Sequence, residues 1–292
     1  MTKIMVTGAQ GQLGSCIRNI AKQHTDKQWQ FYSKEQLDIT NKKAIQAVFE
    51  LENFDFCINA AGFTNVEKAE SEVEKAFELN AEALRELSLQ CKEHQTTLIH
   101  LSTDYVFDGR SKQPYLETDS TRPLNVYGTS KRKGEVIIEE SGCRYIIIRT
   151  SWLYSQHGHN FLKTVLRFAA DERPMKITTE QTGTPTNAND LAQAIMVIVE
   201  NIPQESGIYH ISNTGEATWY DFAEEIIANT AKMNHSVLQK TDHYPTFAER
   251  PSFSVLNCNK YCSTFDQTLP NWKNSLKSLL LEHEVSLTNN HP

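Results

Sequence analysis

Lys3-Ile4-Met5-Val6-Thr7-Gly8-Ala9-Gln10-Gly11-Gln12-Leu13-Gly14 reads as a strand running straight into a glycine turn and the start of a helix. The Gly8-x-x-Gly11-x-x-Gly14 spacing lets the backbone bend tightly. It also lets it approach a pyrophosphate at the helix N-terminus, where unpaired N–H groups and the helix dipole favour anions. A glycine-rich turn can equally join a strand to a helix that holds no ligand. Its position after an N-terminal strand, at the head of a βαβ pattern, favours a dinucleotide site over a bare turn. Gly8, Gln10, Gly11, Gln12, Leu13 and Gly14 are the candidate contacts.

Outward from this turn, short apolar runs alternate with helical patterns, as in a parallel sheet covered by helices. Expected strands are Lys3–Thr7, Trp29–Ser33, Phe54–Asn59, Thr97–Ser102 and Arg144–Arg149. Val66–Glu93 reads as a helix, with Val73, Ala76, Phe77, Ala83, Leu84 and Leu87 near the spacing of one buried face. Another helix is expected from Val126 to about Glu140. After Thr150 the pattern changes: helices at Asn160–Ala170, Asn189–Glu200, Trp219–Thr230 and Trp272–Leu281, strands at Lys176–Thr179 and Gly207–Ser212. No Pro- or Gly-rich linker divides the chain. The expectation is an α/β protein, a Rossmann-type doubly wound parallel sheet with a smaller C-terminal α/β lobe. Residues 1–150 are expected to form the dinucleotide-binding domain, with returning segments near 183–212. Residues 151–182 and 213–292 are expected to form the smaller lobe.

The 292 residues, 39% hydrophobic and 22% charged, are ordinary for a globular protein with a sizeable core. A formal charge of −7, with Lys131-Arg132-Lys133 as the longest basic run, argues against a nucleic-acid partner. No apolar stretch reaches the ~20 residues of a membrane span. The six cysteines are scattered, and neither the Cys258/Cys262 pair nor His157 and His159 has the neighbours of a metal site. Reduced cysteines, a cytoplasmic location and no metal are expected.

The acid that usually meets a ribose 2′-hydroxyl would stand at the end of the second strand. Here that end reads Phe31-Tyr32-Ser33-Lys34, a hydroxyl and a cation, with Glu35 a little late. Ser33 as a cofactor contact tilts the choice towards NADPH over NADH; a solvated turn is the competing reading.

Tyr127-Gly128-Thr129-Ser130-Lys131 places a tyrosine and a lysine four apart on one helical face. A phenol titrating near pH ~10 is a poor acid at neutrality, and an adjacent ammonium is expected to lower that value. Of the ten tyrosines only Tyr127 has lysine at this spacing. Leu98-Ile99-His100-Leu101-Ser102-Thr103 reads as a buried strand ending in hydroxyls. Ligands of a doubly wound sheet bind beyond such ends. Thr103 either bonds a substrate carbonyl there or simply ends the strand.

Blocks of the chain resemble the dTDP-4-dehydrorhamnose reductase family over about nine tenths of the length and in order. They are Gly8–Gly14, Asn59-Ala60-Ala61-Gly62-Phe63-Thr64, Ser102–Gly109, Pro123–Gly128, Arg149–Tyr154, Gly183–Thr186 with Asp190-Leu191-Ala192, Trp219–Ala223 and Arg250-Pro251. The resemblance implies a seven-stranded Rossmann sheet with a small C-terminal substrate lobe, which makes residues 151–182 and 213–292 the substrate-binding lobe. It also implies NADPH- or NADH-dependent reduction of dTDP-4-dehydro-L-rhamnose at C4 to dTDP-L-rhamnose. Thr103, Tyr127 and Lys131 fall on the family's catalytic positions. Asp38 and Ile39 fall near the adenine, and Ala60, Ala61 and Thr64 in the cofactor cleft. Thr103, Asp104, Tyr105, Trp152 and Arg250 fall on the substrate side. Trp152 could instead be core, yet it follows a strand's C-terminal end.

There are departures. Phe63 replaces a common tyrosine, and Glu180-Gln181 replaces Asp-Gln. Ser15 and Cys16 stand where some relatives carry an acidic magnesium ligand at a dimer interface, leaving monomer or homodimer open. Dehydratases of this fold follow the central hydroxyl with Asp-Glu; Asp104-Tyr105 follows Thr103 here, which speaks against elimination. The alternatives are a reductase or epimerase of another nucleotide-linked 4-keto-6-deoxysugar, and a non-catalytic regulatory relative.

Overall fold

A computed structural model describes residues 1–230, 237–242 and 244–288; residues 231–236, 243 and 289–292 of the expected substrate lobe lie outside the described residues. In chain order the first half carries β1 (Lys3–Thr7), α1 (Gln12–Ala21), β2 (Gln28–Tyr32), α2 (Lys42–Leu51), β3 (Phe56–Asn59), α3 (Val66–Ser71), α4 (Val73–Phe77), a π-turn (Glu78–Glu82), α5 (Ala83–Glu93), β4 (Thr97–Thr103), α6 (Val126–Ser141) and β5 (Tyr145–Thr150). The second half carries β6 (Leu153–Tyr154), α7 (Phe161–Ala170), β7 (Met175–Thr178), β8 (Thr182–Gly183), β9 (Thr186–Asn187), α8 (Ala188–Glu200), β10 (Gly207–His210), β11 (Ala217–Thr218), α9 (Trp219–Ala228), β12 (Leu238–Thr241), α10 (Asn259–Phe265) and α11 (Trp272–Thr288).

The central sheet has the order β10-β5-β4-β3-β1-β2 and every pair in it is parallel. Its middle strands are apolar on both faces: Ile146, Ile147 and Ile148 of β5 are all buried. Helices must therefore cover both sides. The α1 and α8 helices do so on one face, where Leu13, Cys16 and Ile17 pack with Leu191, Ile195 and Ile198. On the other face Ile45 and Phe49 of α2, Leu84 and Leu87 of α5, and Ile137 and Ile138 of α6 form a second core. This is the doubly wound Rossmann-type architecture.

Two expectations need correction. Six strands, not seven, pair in the central sheet among the described residues. The edge strand is β10, whose pairing with β5 is extended by Ile211 N–H donating to Arg149 O at 3.0 Å, and β12 pairs with β7 in a separate two-stranded sheet. The Val66–Glu93 helix is interrupted: Glu72 (φ −116°, ψ 48°) breaks it, and the π-turn inserts before α5. The α2 helix, capped by Asn41 accepting from Ala44 N–H at 3.2 Å, and α10 were not expected at all.

A third core gathers Tyr154, Leu162, Val165, Phe222, Ile226, Trp272 and Leu276, from β6 and the helices α7, α9 and α11. No helix among the described residues is long and apolar enough to cross a membrane.

Candidate active site

Beyond the C-terminal ends of β1, β3, β4 and β5 lies a cleft of about 630 Å³, the ligand side of a doubly wound sheet. Its floor begins at the glycine turn. Gly8 sits at φ +65°, and a Cβ there would lie 2.6 Å from the Ala60 carbonyl carbon and the Ala61 nitrogen. A Cβ on Gly14 would fall 2.4 Å from Gly8 O. Both glycines are needed for α1 to start this close to the sheet. Gly11, which has no side chain, caps α1, so the cap residue itself leaves the first N–H groups of the helix open.

Gly8, Gly11, Gln12 and Leu13 line the cleft, whereas Gln10 points to solvent and Gly14 is buried in the strand–helix contact. The Gln12 amide is taken up by the protein itself: its Oε1 accepts from Asn160 Nδ2 at 2.8 Å and Ser155 Oγ at 3.2 Å. This ties α1 to the loop carrying Gly158 and His159, which also line the cleft.

Ser33 does not reach the cleft. It is buried, and its hydroxyl serves the Glu35 carboxyl, which it holds below the usual range. Lys34 occupies the wall instead, with Leu37, Asp38 and Ile39. Asp38 Oδ1 accepts from Thr40 N at 2.9 Å and Thr40 Oγ1 at 2.8 Å; these bonds keep the carboxylate low despite some burial.

Ala60, Ala61 and Thr64 line the opposite wall. Asn59 Oδ1 fixes the turn by accepting from Thr7 Oγ1 at 2.6 Å and Ala61 N at 3.1 Å. Asn80, buried in the π-turn and not anticipated from sequence, holds the next stretch. Its Oδ1 accepts from Phe63 N at 2.8 Å, and its Nδ2 donates to Phe63 O and to Ser130 Oγ of α6, each at 3.0 Å.

Thr103, Tyr127 and Lys131 meet in the same cleft. Asn125 starts α6 by accepting from Gly128 N at 2.7 Å, which sets Tyr127 in the first turn and Lys131 one turn on. Lys131 Nζ donates to Leu101 O and lies 3.3 Å from His100 Nε2. Burial pulls the Lys131 amine down to about 8, against the pull of Glu135. Burial and Lys131 together keep His100 neutral, well below its ordinary value.

The expected lowering of Tyr127 by Lys131 is not found. Although the ring is partly exposed, protein surrounds its hydroxyl, and this burial pushes Tyr127 up to about 12. A hydrogen bond with Thr103 works the other way and Asp104 adds to the rise. The Lys131 ammonium faces Leu101 O and His100 instead.

Asp104 lies 2% exposed on the wall, its Oδ1 accepting from Thr103 Oγ1 at 3.0 Å. Burial raises it to about 7, against the Ser254 and Thr103 hydroxyls. The Tyr105 ring meets Tyr127 edge-on, centroids 5.9 Å apart. Trp152 lines the far end of the cleft, joined by Trp219 and Phe-flanked, another residue sequence reasoning did not single out for the site. Arg250 does not line the cleft: Glu67 of α3 takes its Nη2 at 2.7 Å. Behind the site Glu135 receives Arg149 Nε at 2.9 Å, Arg149 Nη2 at 2.8 Å and Ser102 Oγ at 2.5 Å, a buried clamp between α6, β4 and β5.

A parallel sheet with a glycine cradle at its first turn and a Tyr–Lys helix beside it defines a Rossmann-type α/β protein of the dinucleotide-site class. The chain belongs to the RmlD substrate binding domain family, whose pattern matches residues 1–285. It is 34% identical over 289 residues to the dTDP-4-dehydrorhamnose reductase of Aggregatibacter actinomycetemcomitans, 96% of this chain and 98% of that protein. The dTDP-4-dehydrorhamnose reductase of Clostridium acetobutylicum superposes with a TM-score of 0.91 at 32% identity, over 97% of this chain and 100% of that one. The Bacillus anthracis enzyme of the same name, solved in complex with NADP, gives 0.90 at 31% identity and the same coverage.

Proposed function

We propose that the protein reduces the C4 keto group of dTDP-4-dehydro-L-rhamnose to dTDP-L-rhamnose, with NADPH, or NADH, as the reductant. The observation that carries this reading is the meeting of Thr103, Tyr127 and Lys131 in the cleft that begins at the Gly8 cradle. Curated relatives of this name over nearly the full length support it, as does the NADP of the Bacillus anthracis structure.

The cradle suits a dinucleotide, because a side chain at Gly8 would fill the space beside Ala60 and Ala61. The uncapped start of α1 would receive the pyrophosphate, and Lys34 the 2′-phosphate in place of Ser33. Asp38, Ile39, Ala60, Ala61 and Thr64 would line the adenosine and ribose. Bound there, the reduced nicotinamide supplies the hydride.

Tyr127 gives its hydroxyl proton to the sugar oxygen as the carbonyl electron pair becomes that oxygen's own. Thr103 hydrogen-bonds the same oxygen. Lys131, one turn on in the same cleft, would hold a ribose hydroxyl of the cofactor. Donors placed where charge develops are the ones that help most, and Tyr127 and Thr103 line the cleft together. Trp152, Tyr105 and Asp104 form the sugar side. Residues 151–182 and 213–292 act as the substrate lobe against the dinucleotide-binding residues 1–150, to which 183–212 return.

The six cysteines are free, four of them buried, which suits the reducing cytoplasm. The partner is a small nucleotide sugar; a nucleic acid does not suit the charge of −7. The test is incubation with dTDP-4-dehydro-L-rhamnose and NADPH followed by NMR of the product. The 6-deoxy-L-manno configuration is expected. Unchanged ketone, or another epimer, would overturn the reading.

A further inference from the structure

Trp152 takes a backbone conformation with φ +45°, a region that a bulky side chain enters only when its surroundings force it. Three features do so. Gly183 leaves the space the indole occupies: a Cβ there would lie 2.6 Å from Trp152 Cε2 and 2.8 Å from Nε1. The β8–β11 pair, Ala217 opposite Gly183 and Thr218 opposite Thr182, brings the next residue, Trp219, alongside. The two indoles then stack, centroids 3.7 Å apart and 6° from parallel. Trp219 is itself held in plane, Nε1 donating to Gln181 Oε1 at 2.9 Å, with the Phe161 ring 4.7 Å away.

Indoles stacked only to fill a core would be buried. These are not: both stay partly exposed and both line the cleft. We propose that Trp219, fixed by Gln181, is a positioning residue that holds Trp152 in its strained pose as the wall against which the sugar is seated. The proposal rests on the reading of the cleft as a nucleotide-sugar site. An indole face is electron-rich and apolar, so it suits the C–H face and methyl group of a 6-deoxysugar. A wall fixed before the ligand arrives spends no binding energy on ordering itself. The carbonyl then meets Tyr127 and Thr103 in one orientation.

The test compares wild type with Trp219→Leu, which keeps apolar bulk but removes the ring, and with Trp219→Phe, which restores a ring. Three quantities are read: the exciton couplet that paired indoles give in circular dichroism, the Kd of dTDP-L-rhamnose in the presence of NADP, and the Kd of NADPH. For Trp219→Leu the couplet should vanish, and the sugar-nucleotide Kd and the KM should rise at least about tenfold. NADPH affinity should hold and kcat should fall less than KM rises. Trp219→Phe should recover most of the sugar-nucleotide affinity. Loss of the couplet with unaltered sugar-nucleotide affinity would overturn the proposal, and so would weakening of both ligands alike. If Trp219→Leu does not fold, Gln181→Leu replaces it, since both indoles remain and only the acceptor goes. A diminished couplet with weaker sugar-nucleotide binding then supports the proposal, and an undiminished couplet overturns it. Absence of turnover by the wild-type protein would overturn the function reading first, and with it the sugar-facing half of this proposal.

Discussion

Thr103 has one hydroxyl hydrogen, and in the free chain it is directed to Asp104 Oδ1 at 3.0 Å while Oγ1 accepts Tyr105 N–H at 3.2 Å. To donate to a ketone it must turn away from Asp104, so the charge on that carboxyl matters to the chemistry. Asp104 binds its proton more tightly folded (about 7) than at its ordinary 3.8. Between these values the native state holds a proton that the unfolded chain has released. Stability from this group is therefore full below 3.8, falls as pH climbs, and levels off above about 7. Asp104→Asn removes that loss. Its melting temperature should exceed wild type at pH 8 and converge on it towards pH 4; a constant difference across the range would sink the assignment. At Tyr127 the prediction concerns rate. Tyr127→Phe removes a hydroxyl and leaves the ring against Tyr105, so kcat should fall roughly 10²–10⁴-fold with the melting temperature and NADPH affinity near wild type. A variant within tenfold of wild-type kcat, with chemistry rate-limiting, would make Tyr127 only a packed helix residue. At Lys34 the expectation is selective: Lys34→Ala should weaken NADPH about tenfold or more and NADH little, as competition titrations of the two would read.

The interrupted helix over residues 66–93 does more than cover the sheet, because its π-turn aims Asn80 at two elements of the site. Asn80→Ala would leave Phe63 N–H and O and Ser130 Oγ without their partner. A buried group left unsatisfied costs about 1–3 kcal/mol. The variant should therefore melt lower and bind NADPH more weakly, since the strand-end turn Ala60–Thr64 loses its support. Asn80→Asp keeps an acceptor for Phe63 N–H but no donor, and should fall between; equal melting of all three proteins would exclude the anchor. Such a residue was not legible in the sequence. The central strands were, because β-branched runs bounded by turn residues mark them, and the true bounds differ by a residue or two. The glycine turn was legible because its reason is local: a φ of +65° and a Cβ that would strike Ala60. The YxxxK pair was legible for the same kind of reason, four residues on one helical face. What escaped depends on tertiary pairing. A π-turn carries no periodic signature, and the Trp152–Trp219 contact exists only because two-residue strands at 182–183 and 217–218 find each other. Lys131 lowering Tyr127 was a sound inference from spacing, yet burial reversed it, and burial is what spacing cannot report. The α2 helix is a different failure, since Asn41 as cap and Ile45 and Phe49 as its buried face were present to be read.

Three cores converge on one cleft. Leu13 belongs to the first, Leu37 and Ile39 to the second, and Trp219 packs on the third; all four residues line the same space. A ligand that touches elements of these three cores binds only a chain in which all three are formed. Binding then stabilises the native state by RT ln(1 + [L]/Kd), about 2.7 kcal/mol at a hundredfold excess over Kd. The two ligands should act unequally. On the proposed reading NADPH would face α1 and the strand ends of the first two cores, so alone it should slow amide exchange in α1 and in the turns after β1 and β3. The third core touches the cleft mainly through the tryptophan wall. Its helices α7 and α9 should gain protection only when dTDP-L-rhamnose joins the oxidised cofactor. The Gln12 amide, which bridges α1 to Ser155 and Asn160, passes part of the cofactor's effect to the 155–160 loop, and that loop should respond to NADPH alone. Exchange measured by mass spectrometry on the free, NADPH-bound and ternary protein separates these steps. Protection of α7 and α9 by NADPH alone, as strong as in the ternary complex, would mean that the cofactor already holds the third core in place. The division of labour between the two lobes would then be wrong.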